Sequence, residues 1–395
     1  MSKTLNEIAK DLRDANKKVQ LIYAFNGTGK TRLSRKFRLL VDPKAKEEEQ
    51  EQQEGQDEQE VSGIKVMYYN AFTEDLFYWD NDLDTDTNRK LIIRPNNFTN
   101  FAMKFLKDEG QDRSIVLNFQ YYTNSSITPL INDDFTEVIF TLASGGDDSL
   151  NSIKISKGEE SNFIWCVFYS LLQQVIEIRN IVDKEERSTQ VFNDLEYIFI
   201  DDPVSSLDDT HLIELAVNIA ELIKSSQSEI KFIITTHNPL FYNVMYNELN
   251  NKDTRYNYKP KFEKYLLEKF DDGTLLLTSN LNDSPFSYHM HLLSILKEVA
   301  VSDNIEKYHF NLLRNLLEKT ATFLGHKHWG NLISKTQLGD KEPYVKRILN
   351  VSSHSKHSGE ETNILTTGDK LMFKRLVKEI SSTYQFNVST DEIIL

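Results

Sequence analysis

Cysteine is nearly missing from this chain of 395 residues, with Cys166 the only one. One thiol cannot build a disulfide framework, and its neighbours Trp165 and Val167 mark it as a buried side chain rather than a ligand or nucleophile. Also missing are an apolar run long enough to span a bilayer and a basic segment leading into an apolar signal core, so a cytoplasmic location is expected. Positive charge is in deficit: 46 Lys and Arg stand against 60 Asp and Glu, a formal net charge of -14. That balance argues at first against a nucleic-acid partner. Residues 44–60 have no aliphatic side chain but Ala45 and carry eight acids, which cannot form a core and read as an acidic disordered surface insert. The rest is ordinary for a globular protein, 39% apolar and 11% aromatic, and long enough for a sizeable core.

What is present begins with Tyr23-Ala24-Phe25-Asn26-Gly27-Thr28-Gly29-Lys30-Thr31, a strand running through a glycine-rich turn into a helix. Backbone N–H groups of such a turn, Asn26 to Gly29, point at phosphates, and the helix N-terminus adds partial positive charge. Lys30 reaches the β and γ oxygens and the Thr31 hydroxyl faces Mg²⁺. Ala24 stands where the first glycine of the P-loop pattern belongs, which is acceptable only if its backbone is not left-handed. The run Tyr197-Ile198-Phe199-Ile200-Asp201-Asp202 reads as a buried parallel strand ending in two carboxylates. Asp201 is expected to hold Mg²⁺ and Asp202 to polarise the attacking water. Phe232 to Thr236 reads as a second buried strand, delivering His237 to the same edge for a γ-phosphate contact.

The order of these motifs, with Ser156-Lys157-Gly158-Glu159-Glu160-Ser161 between them and Ser206-Leu207-Asp208-Asp209 after the carboxylates, resembles the ABC-type ATPases. The resemblance implies an ATP or GTP site in which the signature helix of one protomer, through Ser156, Lys157, Gly158 and Glu159, closes on the nucleotide of another. It therefore implies a homodimer or higher oligomer paired through ATPase heads. Lys157 and Glu159-Glu160 depart from the usual signature, and Asp202 replaces the usual glutamate. About 125 residues separate Thr31 from Ser156, too few for the long coiled coil of SMC-like ATPases.

Two alternating runs around Asp271-Asp272-Gly273 read as a hairpin near the end of an α/β domain, placed at residues 1–265. Residues 266–395 read as a smaller, mainly helical domain. From Ile305 to Leu324, Leu313, Leu316, Leu317 and Leu324 with Thr320 fall on one stripe, and Gly325 stops the helix. Here the charge reverses: residues 307–357 hold nine basic residues against three acidic, with five of the nine histidines, which suits a phosphate backbone or a merely solvated basic face. Arg314 and Glu318, four apart, are neighbours at the polar flank of that helix, as in any surface ion pair. His354 lies in a Ser-rich turn.

Beyond these separate patterns, the strings Tyr68-Tyr69-Asn70-Ala71-Phe72-Thr73-Glu74-Asp75-Leu76-Phe77-Tyr78-Trp79-Asp80, Lys157-Gly158-Glu159-Glu160-Ser161, Phe286-Ser287-Tyr288-His289, Leu312-Leu313-Arg314-Asn315-Leu316 and Ser353-His354-Ser355 make the whole chain resemble the PrrC-type anticodon nucleases. Ala24 and the Lys-Gly-Glu-Glu signature belong to that family's pattern. The resemblance implies an ABC-type head fused to a metal-free ribonuclease module in which Arg314, Glu318 and His354 are catalytic, with Mg²⁺ confined to the NTPase. It implies tRNA(Lys) as substrate, cut 5′ to the wobble base to leave 2′,3′-cyclic phosphate and 5′-OH ends, with Asp283, Ser284, Phe286 and Tyr288 reading the anticodon loop. It also implies latency beside a DNA restriction-modification complex and a role in abortive infection. The residue types suit the chemistry: a base for the 2′-OH, an acid for the leaving oxygen and a cation for the phosphorane, with the roles of Glu318 and His354 interchangeable. The competing readings are an ABC-type defence ATPase acting on DNA with a non-catalytic C-terminal module, and a nucleotide-gated binding protein.

Overall fold

A computed structural model of the chain describes residues 2–43, 63–69, 75–80, 89–94, 97–123, 126–134, 136–142, 152–203, 209–250, 261–270, 272–279, 288–333 and 365–384. The acidic segment 44–60 lies outside the described residues.

The chain opens with α1 (Leu5–Asp14), whose Thr4 and Glu7 form a reciprocal capping box, and β1 (Val19–Ala24), in which every residue is buried. After the glycine turn come α2 (Lys30–Val41) and β2 (Val66–Tyr69). A second sheet then intervenes, made of β3 (Phe77–Asp80), β4 (Lys90–Ile93), β5 (Ile127–Ile131), β6 (Glu137–Leu142) and the short β7 (Ser152–Ile153). Helices α3 (Asn97–Asp108) and α4 (Asp112–Thr123) are inserted before β5. The chain returns to the first sheet through α5 (Lys157–Asn180), β8 (Tyr197–Asp201), α6 (Asp209–Ser225), β9 (Lys231–Thr236), α7 (Pro239–Asn250), β10 (Phe262–Lys269) and β11 (Leu275–Ser279).

The first sheet has the order β11-β10-β1-β9-β8-β2, parallel throughout except for β11, which pairs antiparallel with β10. Strands buried on both faces need near-continuous apolar sequence, and the Tyr-Ile-Phe-Ile of β8 and Phe-Ile-Ile of β9 supply it. Phe37 of α2 seats this helix on the sheet, edge-on to Tyr197 at 4.9 Å and tilted against Phe199 at 5.8 Å. The second sheet is antiparallel, β3-β4-β6-β5 with β7 beside β6.

Helix α5 buries 15 of its 24 residues, on all sides, which explains why its sequence has no polar face. Trp165 and Phe168 pack on Tyr69 at the end of β2, while Phe163 meets Phe140 of β6 and Phe119 of α4. The helix thus joins both sheets into one core. Cys166, wholly buried on α5, has its thiol pushed up by burial, as a structural rather than reactive cysteine would.

The C-terminal part is helical and has its own core. It contains α8 (Tyr288–Ser302), α9 (Lys307–Phe323) and α10 (Thr367–Thr383). Leu296, Phe310, Leu313, Leu317, Phe373 and Val377 are among the side chains that fill it. Asp303, in a left-handed conformation after α8, takes Lys374 at 2.8 Å and Lys370 at 3.3 Å from α10. Two details differ from the sequence expectation. The compact units meet at Phe286 and Ser287 rather than at 265/266, because the β10–β11 hairpin extends the first sheet instead of leaving it. Leu324, expected on the buried stripe, is 45% exposed, because α9 ends at Phe323 and the chain turns there.

Truncating the wholly buried Phe37 removes its contacts with both strand aromatics. Phe37→Ala is expected to cost about 3–5 kcal/mol in urea-induced unfolding of the α/β unit; a loss below about 1 kcal/mol would mean that α2 is not anchored by this ring.

Candidate functional site

Strand β1 lies between β9 and β10, and β9 between β1 and β8, so three successive parallel strands end side by side. Ala24 is the last residue of β1, paired with Leu267 and wholly buried in extended backbone, so no glycine is required there. Glycine is required at 27 and 29, where φ is +82° and +104°. A Cβ would meet nothing within 4 Å at either position, so the constraint is conformation and not space. Gly29 also precedes α2 without a side-chain cap, and the first turn of α2 has no acidic residue, so its N–H groups and dipole suit an anion.

Lys30 is 7% exposed and ringed by oxygen: its Nζ reaches the carbonyls of Ala24 at 3.3 Å and Phe25 at 3.4 Å, Asn26 Oδ1 at 3.3 Å and Asp202 Oδ2 at 3.4 Å. The Thr31 hydroxyl donates to Asp201 Oδ2 at 2.7 Å. That hydroxyl–carboxylate pair is the donor set Mg²⁺ prefers, two oxygen ligands with the remaining positions left to water and phosphate. Asp201 Oδ1 in turn accepts from Thr235 of β9.

The second carboxylate has a different setting. Asp202 has a φ of +54°, unusual for a non-glycine residue, and its N–H donates to Thr235 O at 2.9 Å. Its Oδ2 lies 2.5 Å from His237 Nδ1, while Oδ1 accepts from the His237 N–H at 3.2 Å and the Thr236 hydroxyl at 3.3 Å. Burial raises the Asp201 carboxyl above the ordinary range despite the hydroxyls of Thr235 and Thr31. Burial also acts upward on Asp202, but the His237 hydrogen bond and the Lys30 charge outweigh it and hold that carboxyl below the ordinary range. Adjacent carboxylates in one edge are thus driven apart, which suits one to metal and one to ordering water.

The structure therefore brings together Asn26, Gly27, Thr28, Gly29, Lys30, Thr31, Asp201, Asp202 and His237. Sequence reading missed Thr235 and Thr236, which hold one carboxylate each; their place immediately before His237, on a strand parallel to β8, was the available signal. Ser156, Lys157, Gly158 and Glu159 form the first turn of α5. Ser156 and Glu159 close a capping box, and Lys157 pairs at 2.7 Å with Glu160, which also accepts from Trp79 of β3 at 2.7 Å. Ser156 and Lys157 face solvent.

In the helical unit, Arg314 Nε contacts Glu318 Oε1 at 2.8 Å on α9, with the two side chains 37% and 46% exposed. Tyr288 is the first residue of α8. His354, Asp283, Ser284, Phe286 and the segment Ser206 to Asp208 lie outside the described residues. Among the described residues no cluster of three or more His, Cys, Asp or Glu is placed to hold a metal, and no helix is long and apolar enough to cross a membrane.

A family model described as an AAA domain matches residues 139–372. The chain is 50% identical over 407 aligned residues, 98% of each chain, to a curated relative from Escherichia coli called Anticodon nuclease. Among solved structures, an Smc head bound to the C-winged helix domain of ScpA is 12% identical, with 67% of this chain and 90% of that one covered at a TM-score of 0.31. An SMC head domain from Thermotoga maritima is 13% identical, with 66% and 90% covered at 0.23.

Lys30→Ala is expected to weaken nucleoside triphosphate binding, and Asp202→Asn to keep binding while slowing turnover, both read by titration and steady-state phosphate release. Because the Asp201 carboxyl titrates above the ordinary range, protons compete with Mg²⁺ there. The Mg²⁺ requirement should rise on acidification at a pH where an ordinary aspartate is still ionised; a requirement constant across that window would remove Asp201 as a ligand.

Proposed function

The chain belongs to the anticodon nuclease family, and we propose that it is a nucleotide-gated endoribonuclease that cuts tRNA(Lys) in the anticodon loop, 5′ to the wobble base. The identity of 50% over 98% of both chains carries this reading, since it takes in the ATPase unit and the helical unit together.

In the ATPase unit, Lys30 and the glycine-turn N–H groups bind phosphates, Thr31 and Asp201 would hold Mg²⁺, and Asp202 orients the attacking water with His237 beside it. When bound, the ion neutralises developing charge on the phosphates. Paired heads, with Ser156 to Glu159 of one chain facing the nucleotide of another, open and close with ATP or GTP and thereby mask or expose the helical module. The exposure of Ser156 and Lys157, with Gly158 and Glu159 half-buried beside them, supports that arrangement.

In the helical unit, Glu318 and His354 divide the roles of base and acid in RNA cleavage, in either order, and Arg314 places positive charge on the phosphorane. A 2′,3′-cyclic phosphate and a 5′-OH follow, with no metal in the step. The Arg314–Glu318 contact supports the pairing of a phosphate-binding cation with a proton-transferring carboxyl group on one helix face. Asp283, Ser284, Phe286 and Tyr288 read the loop. A cytoplasmic chain held latent beside a DNA restriction-modification complex and released during phage infection would sacrifice translation in abortive defence.

Incubating the purified chain with total tRNA should give a discrete half-molecule product. Replacing Arg314, Glu318 or His354 by Ala should each lower the cleavage rate about 100-fold or more while ATP hydrolysis stays near wild type. Cleavage surviving in all three variants would overturn the assignment, and intact tRNA with the wild-type chain would favour a DNA-acting ATPase with a non-catalytic C-terminal module.

A further inference from the structure

Helix α9 ends in an arrangement that the proposed chemistry does not use. Phe323, its last residue, is 91% exposed, and Leu324 beside it is 45% exposed. Gly325 then turns the chain with φ +77°, and His326, Lys327 and His328 follow, all exposed. This tip is anchored at both ends. Gly325 N–H donates to Thr322 O at 3.1 Å and His326 N–H to Ala321 O at 2.8 Å, the paired bonds of a Schellman cap. Beyond it Leu332 and Ile333 are buried, Trp329 packs on the helical core, and the Tyr384 hydroxyl donates to Leu332 O at 3.1 Å. The backbone that carries the ring is thus held by the cap, so binding there has to order the Phe323 side chain and not the turn itself.

The charge around the ring indicates what it meets. From Lys319 to Ile333 there is no acidic residue, and Lys319 lies one helical turn before Phe323 on the same face, while Lys327 follows the cap. An aromatic face between two lysines matches single-stranded nucleic acid, in which a base stacks on the ring and the flanking phosphates meet the cations. A second copy of the same surface would place lysines against lysines.

Resting on the tRNA reading above, we propose that Phe323, with Lys319 and Lys327, forms a stacking platform for an unpaired base of the RNA substrate, separate from the Arg314–Glu318 pair. On a helix Phe323 stands nine residues beyond Arg314, about 180° around the axis, so the platform engages a nucleotide distant from the scissile bond.

The test is fluorescence anisotropy of the full chain with a labelled RNA stem-loop carrying an anticodon loop, beside a fully paired RNA duplex of equal length. Phe323→Ala should weaken stem-loop binding about ten-fold and leave duplex binding unchanged, and Phe323→Trp should restore it with quenching of the new indole by the loop. Lys327→Ala should weaken both RNAs and flatten the salt dependence. In cleavage, Phe323→Ala should raise KM and leave kcat in place. Equal stem-loop affinity of Phe323→Ala and wild type overturns the platform. So does a Phe323→Ala chain that loses only self-association in sedimentation without nucleotide, which would make the tip a contact between copies. Loss of loop binding in a chain that never cuts tRNA would uphold the platform and defeat the nuclease reading instead.

Discussion

Parallel pairing of β1, β9 and β8 is the constraint on which the rest depends. Because the strands run in one direction and in the register Tyr23 to Thr236 and Asp201 to Thr235, everything that follows them emerges at a single edge. Thr31 at the glycine turn stands 170 residues before Asp201, and Asp202 stands 35 before His237, yet these groups meet within hydrogen-bond distance. A one-residue slip between β8 and β9 would turn Thr235 away from Asp201, and one between β1 and β9 would shift the glycine turn relative to both carboxylates.

What makes that edge chemically asymmetric is the difference between neighbouring aspartates. Asp201 completes β8 in strand geometry and is nearly enclosed, whereas the left-handed backbone of Asp202 swings its carboxylate toward Lys30 and His237. Burial pushes the first above the ordinary carboxylate range, so a bound cation would favour its ionised form. The second already has cationic and hydrogen-bonding partners. A strained backbone at one residue thus divides metal binding from water activation between two identical side chains.

The helical unit is built on a different principle, with stability from a stripe of apolar side chains and function at the ends and flanks left over. Its apolar periodicity predicted α9 within two residues at its start and one at its end, and Gly325 marked the stop. Exposure of Leu324 could not be read from the same pattern, because a residue in the capping turn no longer follows the 100° per residue that places a side chain on the stripe. The domain limit was misplaced for a related reason: a hairpin signal says that two runs pair with each other, and nothing in it says that β10 will also pair with β1.

By itself the sequence determined the local chemistry. The P-loop turn, two buried strands ending in acidic and histidine residues, the hairpin and the amphipathic α9 follow from side-chain type and spacing, which act over a few residues. Only the tertiary structure decided which of these ends meet, that Thr235 and Thr236 hold the carboxylates, and that Ala24 needs no glycine because it is still in the strand. It likewise decided that α5, with no polar face, is the helix that joins two sheets. Those outcomes depend on contacts between distant segments, whose register and burial are set by packing of the whole core rather than by any single stretch of chain.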